Sequence, residues 1–175
     1  MNKNIFYILA LSLLSINISA QKTTLFMGGI AHLGNGEKIE NSIIVVKDGK
    51  FDLVADASRI RIDPTAFDTI IRIYGKHIYP SFISPNTTLG ITEIDAVKAS
   101  EDYSEVGRFN PNVRSLIAFN TDSKVLKTVR SNGVLITQAT PRGGVISGSS
   151  SVMYLDGWNW EDAQIKTDDG IHLNW

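Results

Sequence analysis

Three groups of residues have the types and spacing to do chemistry. The first is the run Pro141-Arg142-Gly143-Gly144-Val145-Ile146-Ser147-Gly148-Ser149-Ser150-Ser151. Its glycines let a backbone approach a ligand, its serines offer hydroxyl donors, and Arg142 can hold a carboxylate or phosphate. Arg142, Gly143, Gly144 and Ser147 are the binding candidates within it. The Gly-Lys-Ser/Thr ending of a phosphate-binding P-loop is missing. Two residues separate Gly144 from Ser147, one too many for a Gly-x-Ser-x-Gly elbow, and only His172 follows as a base. A serine hydrolase is therefore disfavoured. The second group is Glu93, Asp95, Glu101, Asp102 and Glu105. Paired carboxylates serve acid–base work or metal binding. Interleaved with Lys98 and Arg108, most of these read as a solvated face. Glu93 lies just beyond Asn86–Gly90 and is the one placed to face a site. The third group is His32, His77 and His172, the only histidines. None pairs with another at metal-ligand spacing, so each reads as a surface or turn histidine.

Composition narrows the chemistry further. The chain has 175 residues, 17 Lys+Arg against 18 Asp+Glu, a net charge of −1, and no cysteine. Near-neutral charge argues against a nucleic-acid-binding or polybasic membrane module. Without cysteine there is no disulfide framework, thiolate zinc site or cysteine nucleophile.

The elements that must position these residues start after a leader. Lys3 is followed by an apolar run from Ile5 to Ile16, then by Ile18-Ser19-Ala20. A basic start, a short apolar core and a small-residue exit describe a signal peptide over 1–20. The run is shorter than the roughly 20 residues a membrane span needs. The expectation is an exported protein, periplasmic or secreted, with no membrane association once the leader is cleaved.

From Thr23 to Ile83 the pattern is short strands and turns. A strand over Thr24–Met27 is expected to end at Gly28-Gly29, and Gly34-Asn35-Gly36 is a turn. Ser42–Val46 and Phe51–Val54 flank Asp48-Gly49, a hairpin signal. Ile70–Tyr74 and Ile78–Ile83 are further extended stretches. Beyond Leu89 the style changes. Asp95–Val106 is expected to be partly helical. Asp122 or Ser123 caps a helix to about Ser131, stopped by Asn132-Gly133. Val134–Ile136 opens a strand that ends at Pro141–Gly144, and Tyr154–Trp158 reads as a short strand and turn. Trp158 and Trp160 alternate, which sends one ring inward and the other outward.

One ordered set of motifs carries a resemblance: Gly28-Gly29-Ile30-Ala31-His32, the Val-Val-Lys-Asp-Gly-Lys hairpin, Tyr74-Gly75-Lys76-His77-Ile78, Tyr79-Pro80-Ser81-Phe82-Ile83, Asn110-Pro111-Asn112-Val113-Arg114-Ser115-Leu116, Gly143 to Ser151, and Trp158-Asn159-Trp160-Glu161-Asp162-Ala163. Together they resemble the N-terminal part of the metal-dependent amidohydrolase superfamily, most of all its imidazolonepropionase-like exported members. The resemblance implies an α/β fold: a small β-sandwich strand set over 21–83, then the first strands and helices of a (β/α)8 barrel over 84–175. It also implies a hydrolase of carbon–nitrogen bonds other than peptide bonds, and a small-molecule amide-type ligand.

The departure from the family is sharp. Active members carry His-x-His on the first barrel strand, two imidazoles aimed at one divalent metal, usually zinc. The matching positions here are Asn86 and Thr88, within Ser84-Pro85-Asn86-Thr87-Thr88-Leu89-Gly90, which leaves these two as candidates for binding a ligand in place of a metal. An amide and a hydroxyl substitute poorly for imidazole, so no cofactor is expected in this chain. A whole barrel needs about 250 residues, and 95 follow Pro80. The expectation is an incomplete, catalytically incompetent portion of a longer amidohydrolase-like protein, with no catalytic residues of its own. The alternative is a non-catalytic relative that binds a ligand or supports a protein partner through an open sheet edge.

Overall fold

The computed structural model describes residues 22–175. The signal peptide expected over 1–20 lies outside them. The chain divides between Pro80 and Ser81 into two compact units, each built on one sheet.

The first unit contains β1 (Thr23–His32), β2 (Lys38–Lys47), β3 (Lys50–Asp56), β4 (Thr69–Arg72) and β5 (His77–Ile78). The sheet order is β3-β2-β1-β4, and β5 also pairs with β1. The hairpin between β2 and β3 turns on Asp48 and Gly49, at φ +49° and +75°. Positive φ at both central residues is the type I′ turn whose twist suits a two-residue hairpin. Leu25, Ile43 and Val45 form the core, with Met27, Leu53, Phe67 and Ile70 packed against it. The sequence expects β1 to stop at Gly28-Gly29, yet it runs on to His32. Irregular register on either side of Gly29 absorbs the glycines as bulges. Gly28 sits at φ +86°, and a Cβ there would meet the Tyr74 ring at 2.2 Å. The extra length sets His32 beside β5.

The second unit contains β6 (Phe82–Thr87), α1 (Lys124–Ser131), β7 (Val134–Ala139), β8 (Ile146–Tyr154), α2 (Trp160–Ala163) and β9 (Gln164–Leu173), and its sheet order is β6-β7-β8-β9. The stretch from Ile78 to Ile83 is thus two elements: β5 ends at Ile78 and β6 begins at Phe82. Only β6 and β7 are parallel; β8 and β9 each run antiparallel to their inner neighbour. Helix α1 starts as expected, with the Ser123 hydroxyl accepting from Val125 N–H. It stops at Gly133, at φ +90°. Leu126 enters a core with Ile91, Leu116, Phe119, Met153 and Leu155. Trp160 packs against that core while Trp158 is 89% exposed.

Two further expectations are corrected. Asp95–Val106 holds only a single 3-10 turn at Lys98–Ser100. The Ser100 hydroxyl bonds the Ile94 and Val97 carbonyls and accepts from Ile94 N–H, tying the backbone into a turn that competes with helix. The Gly-Ser run is mostly strand β8, and Tyr154 is that strand's last residue, not the first of a new one. Ser147, Ser149, Ser150 and Ser151 are all buried there.

Candidate functional site

Strands β6 and β7 are parallel, and their carboxyl ends bring Asn86, Gln138 and Arg142 to one place. Ligands of open α/β sheets collect at such ends. Asn86 stands at φ +49°, a conformation Asn tolerates better than most residues. Its N–H donates to Gln138 Oε1 at 3.1 Å. Its carbonyl accepts from Arg142 Nη2 at 2.8 Å. The Gln138 amide also donates to Asp169 Oδ2 at 2.8 Å and reaches Ser150 Oγ at 3.4 Å. Lys166 Nζ holds the other Asp169 oxygen at 2.6 Å. These bonds, that of Lys166 first, hold the Asp169 carboxyl below the usual carboxylate range. His172 pairs with Gly148 across β8 and β9. Burial lowers its imidazole pKa, the Arg142 charge lowers it further, and Asp169 opposes both. The cluster offers two fixed cations, one anchored carboxylate, an amide and a neutral-leaning imidazole. That set suits a small polar or anionic ligand.

The remaining candidates lie elsewhere. Thr88, two residues past Asn86, lines a separate pocket of about 170 Å³ with Leu89, Thr92, Glu93, Asp95 and Val125. Glu93 there accepts from Asn120 Nδ2 at 3.1 Å and from the Ser123 hydroxyl at 2.9 Å. Ser123 is the cap of α1, so Glu93 anchors the helix start. The turn before β8 is occupied by the chain itself. Asn174 Nδ2 lies 3.4 Å from the Gly143 carbonyl, 3.1 Å from the Gly144 carbonyl and 2.7 Å from Ser147 Oγ. Ser147 Oγ in turn donates to the Gly143 carbonyl at 2.7 Å. The candidates thus fall into three places: Asn86 with Arg142 at the strand ends, Thr88 with Glu93 in the small pocket, and Gly143, Gly144 and Ser147 at the turn before β8.

Zinc does not fit the positions the resemblance assigns to it. Asn86 presents its backbone to Gln138 and Arg142, and Thr88 belongs to another pocket. Among the described residues no group of three or more His, Asp or Glu is arranged to hold a metal ion. Sequence reasoning missed Gln138, Lys166 and Asp169, and it reads His172 as a surface or turn histidine. A polar Gln138 inside the apolar run of β7 was the one available signal. Asp169 and His172 reach the cluster only through the β8–β9 pairing.

No family model matches the sequence, and no curated protein matches it. Among solved structures, an amidohydrolase from Thermotoga maritima MSB8 superposes with TM-score 0.76 at 21% identity. The fold is amidohydrolase-like. The match covers 86% of this chain and 38% of that one, so the chain spans well under half the length of its neighbour. An A. niger ochratoxinase also matches, at 19% identity and TM-score 0.37, over 46% of this chain and 18% of its own.

Proposed function

We propose that the chain belongs to an amidohydrolase-superfamily protein and that its own residues bind a small polar ligand without hydrolysing it. In this reading β6, α1 and β7 form the first step of the family's barrel. Hydrolysis of carbon–nitrogen bonds is then an activity of the family, and export by the leader over 1–20 is part of the same proposal. The observation that carries it is the Asn86–Gln138–Arg142–Asp169 network, built around a position where the resemblance expects an imidazole. Arg142 supplies a guanidinium for a carboxylate, and Gln138 holds the site's geometry. An imidazolonepropionase-like subgroup fits an amide-type ligand with an acidic group. A second reading, a non-catalytic protein that supports a partner through its sheet edge, is favoured by Phe82 and Ile83. They lie on outer strand β6, 69% and 61% exposed.

Calorimetric titration of the full chain with N-acetylglycine, which carries one amide and one carboxylate, tests the first reading. The expected result is saturable binding that weakens at least tenfold in Arg142→Ala, with no acetate released when zinc is added. Absence of binding, or zinc-dependent release of acetate, overturns it.

A further inference from the structure

Two of the three histidines, 45 residues apart in sequence, meet in the first unit. His32 ends β1, and His77 opens β5. Parallel pairing of Ile30 with His77 and Ala31 with Ile78 puts His32 and His77 on neighbouring strands. Alternation along each strand turns both rings to one face. His32 Nε2 and His77 Nδ1 share a hydrogen bond of 3.0 Å, one ring donating to the other. Tyr79 continues the stack, its ring 4.2 Å from that of His32 and tilted by 11°.

Across the sheet, Lys38 is the register partner of His32 on β2. Its ammonium is held by Glu40 at 2.6 Å. Lys38 is the main cause of Glu40's lowered pKa, and the charges of His77 and His32 add to it, so a carboxylate stands in the field of both imidazoles. Lys38 is thereby tied to Glu40, and the Glu40 carboxylate favours an added cation at the two rings. His77 is exposed and His32 half-buried, which leaves room for water ligands.

We propose that His32 and His77 form a surface site for a divalent transition-metal ion, with water completing its coordination. Imidazole suits copper, nickel and zinc. Affinity for such a site rises from nickel to copper and falls again at zinc. The ion would replace the hydrogen bond between the rings, each ring turning so that its lone pair meets the metal. The site is built from the first unit alone and is independent of the ligand proposed above.

Copper titration of the full chain, prepared without a polyhistidine tag, tests this. One Cu²⁺ per chain is expected, with an electron paramagnetic resonance spectrum split by two nitrogens. His77→Ala and His32→Gln should each weaken binding at least tenfold, and zinc should bind more weakly than copper. The nitrogen splitting needs no variant, so a misfolded substitution does not decide the matter. No stoichiometric copper, a spectrum showing fewer than two nitrogens, or variants with unchanged affinity overturns the proposal.

Discussion

In the sheet of residues 22–80, the buried strand segment is Ser42-Ile43-Ile44-Val45, three of its four residues branched and apolar. In the sheet of residues 81–175, β8, one of two inner strands, buries Ser147, Ser149, Ser150 and Ser151 around a glycine. The first strand is held by removing apolar surface from water. The second adds to its one core residue, Met153, a set of polar partners: Ser149 Oγ donates to Asp168 Oδ1 at 2.9 Å, Ser151 Oγ accepts from Asp168 N–H at 3.2 Å, and Ser150 Oγ reaches the Gly170 carbonyl at 3.3 Å. Apolar packing tolerates volume-conserving exchanges, whereas a buried hydroxyl left without a partner costs about 1–3 kcal/mol.

The greatest loss of stability is expected from Leu25→Ala, which strikes the apolar side of this contrast. Leu25 is 2% exposed in the first core, and its truncation should cost about 2–5 kcal/mol in urea unfolding. A cost near zero would mean that the first sheet does not rest on its apolar face. Glycine substitutions sharpen the contrast at intermediate size. Gly148 in β8 has φ +121°, and a Cβ would sit 2.5 Å from the Val113 carbonyl oxygen. Gly148→Ala should cost about 1–3 kcal/mol through overpacking alone. Gly49 has positive φ but open space around it, so Gly49→Ala should cost only about 1 kcal/mol. Equal costs in thermal unfolding would erase the difference between the two sheets.

Asp168 gives the smallest and most specific effect. Arg114 holds it bidentately at 2.9 and 2.7 Å. Arg114 first and Ser149 next hold its pKa below the usual carboxylate range. A carboxylate with a lowered folded pKa stabilises above its unfolded pKa, and that contribution is lost as pH falls through the folded value. Asp168→Asn should therefore lower Tm modestly at pH 7. Its stability should fall less than that of the parent on acidification below about pH 4. Parallel pH profiles for the two proteins would remove Asp168 from the account.

Sequence reached the elements with local signals and not those that depend on pairing. The Asp48-Gly49 hairpin and the Ser123-capped helix were legible because their signals are local: positive φ at two adjacent residues, and a hydroxyl two residues from the N–H it caps. Strand β8 was illegible because glycine and serine are the residues of loops, and its burial depends on β7, β9 and Asp168. The site followed the same rule. Asn86 and Arg142 were found from motifs, while Gln138, Asp169 and Lys166 entered through strand pairing. The histidine stack was hidden for the same reason, since spacing along the chain says nothing about two strands that become neighbours through the fold.

The serine-built strand has a consequence for the chain before it folds. Segments that nucleate cross-β aggregates combine β propensity, apolar side chains, low charge and no proline. Ile43-Ile44-Val45-Val46 meets that description, and its charged neighbours Lys47, Asp48 and Lys50 stand as gatekeepers on one side. Gly148-Ser149-Ser150-Ser151 does not meet it. The Gly-Ser half of β8, which every nascent copy must expose until β7 and β9 pair with it, thus lacks the apolar surface on which such aggregates grow.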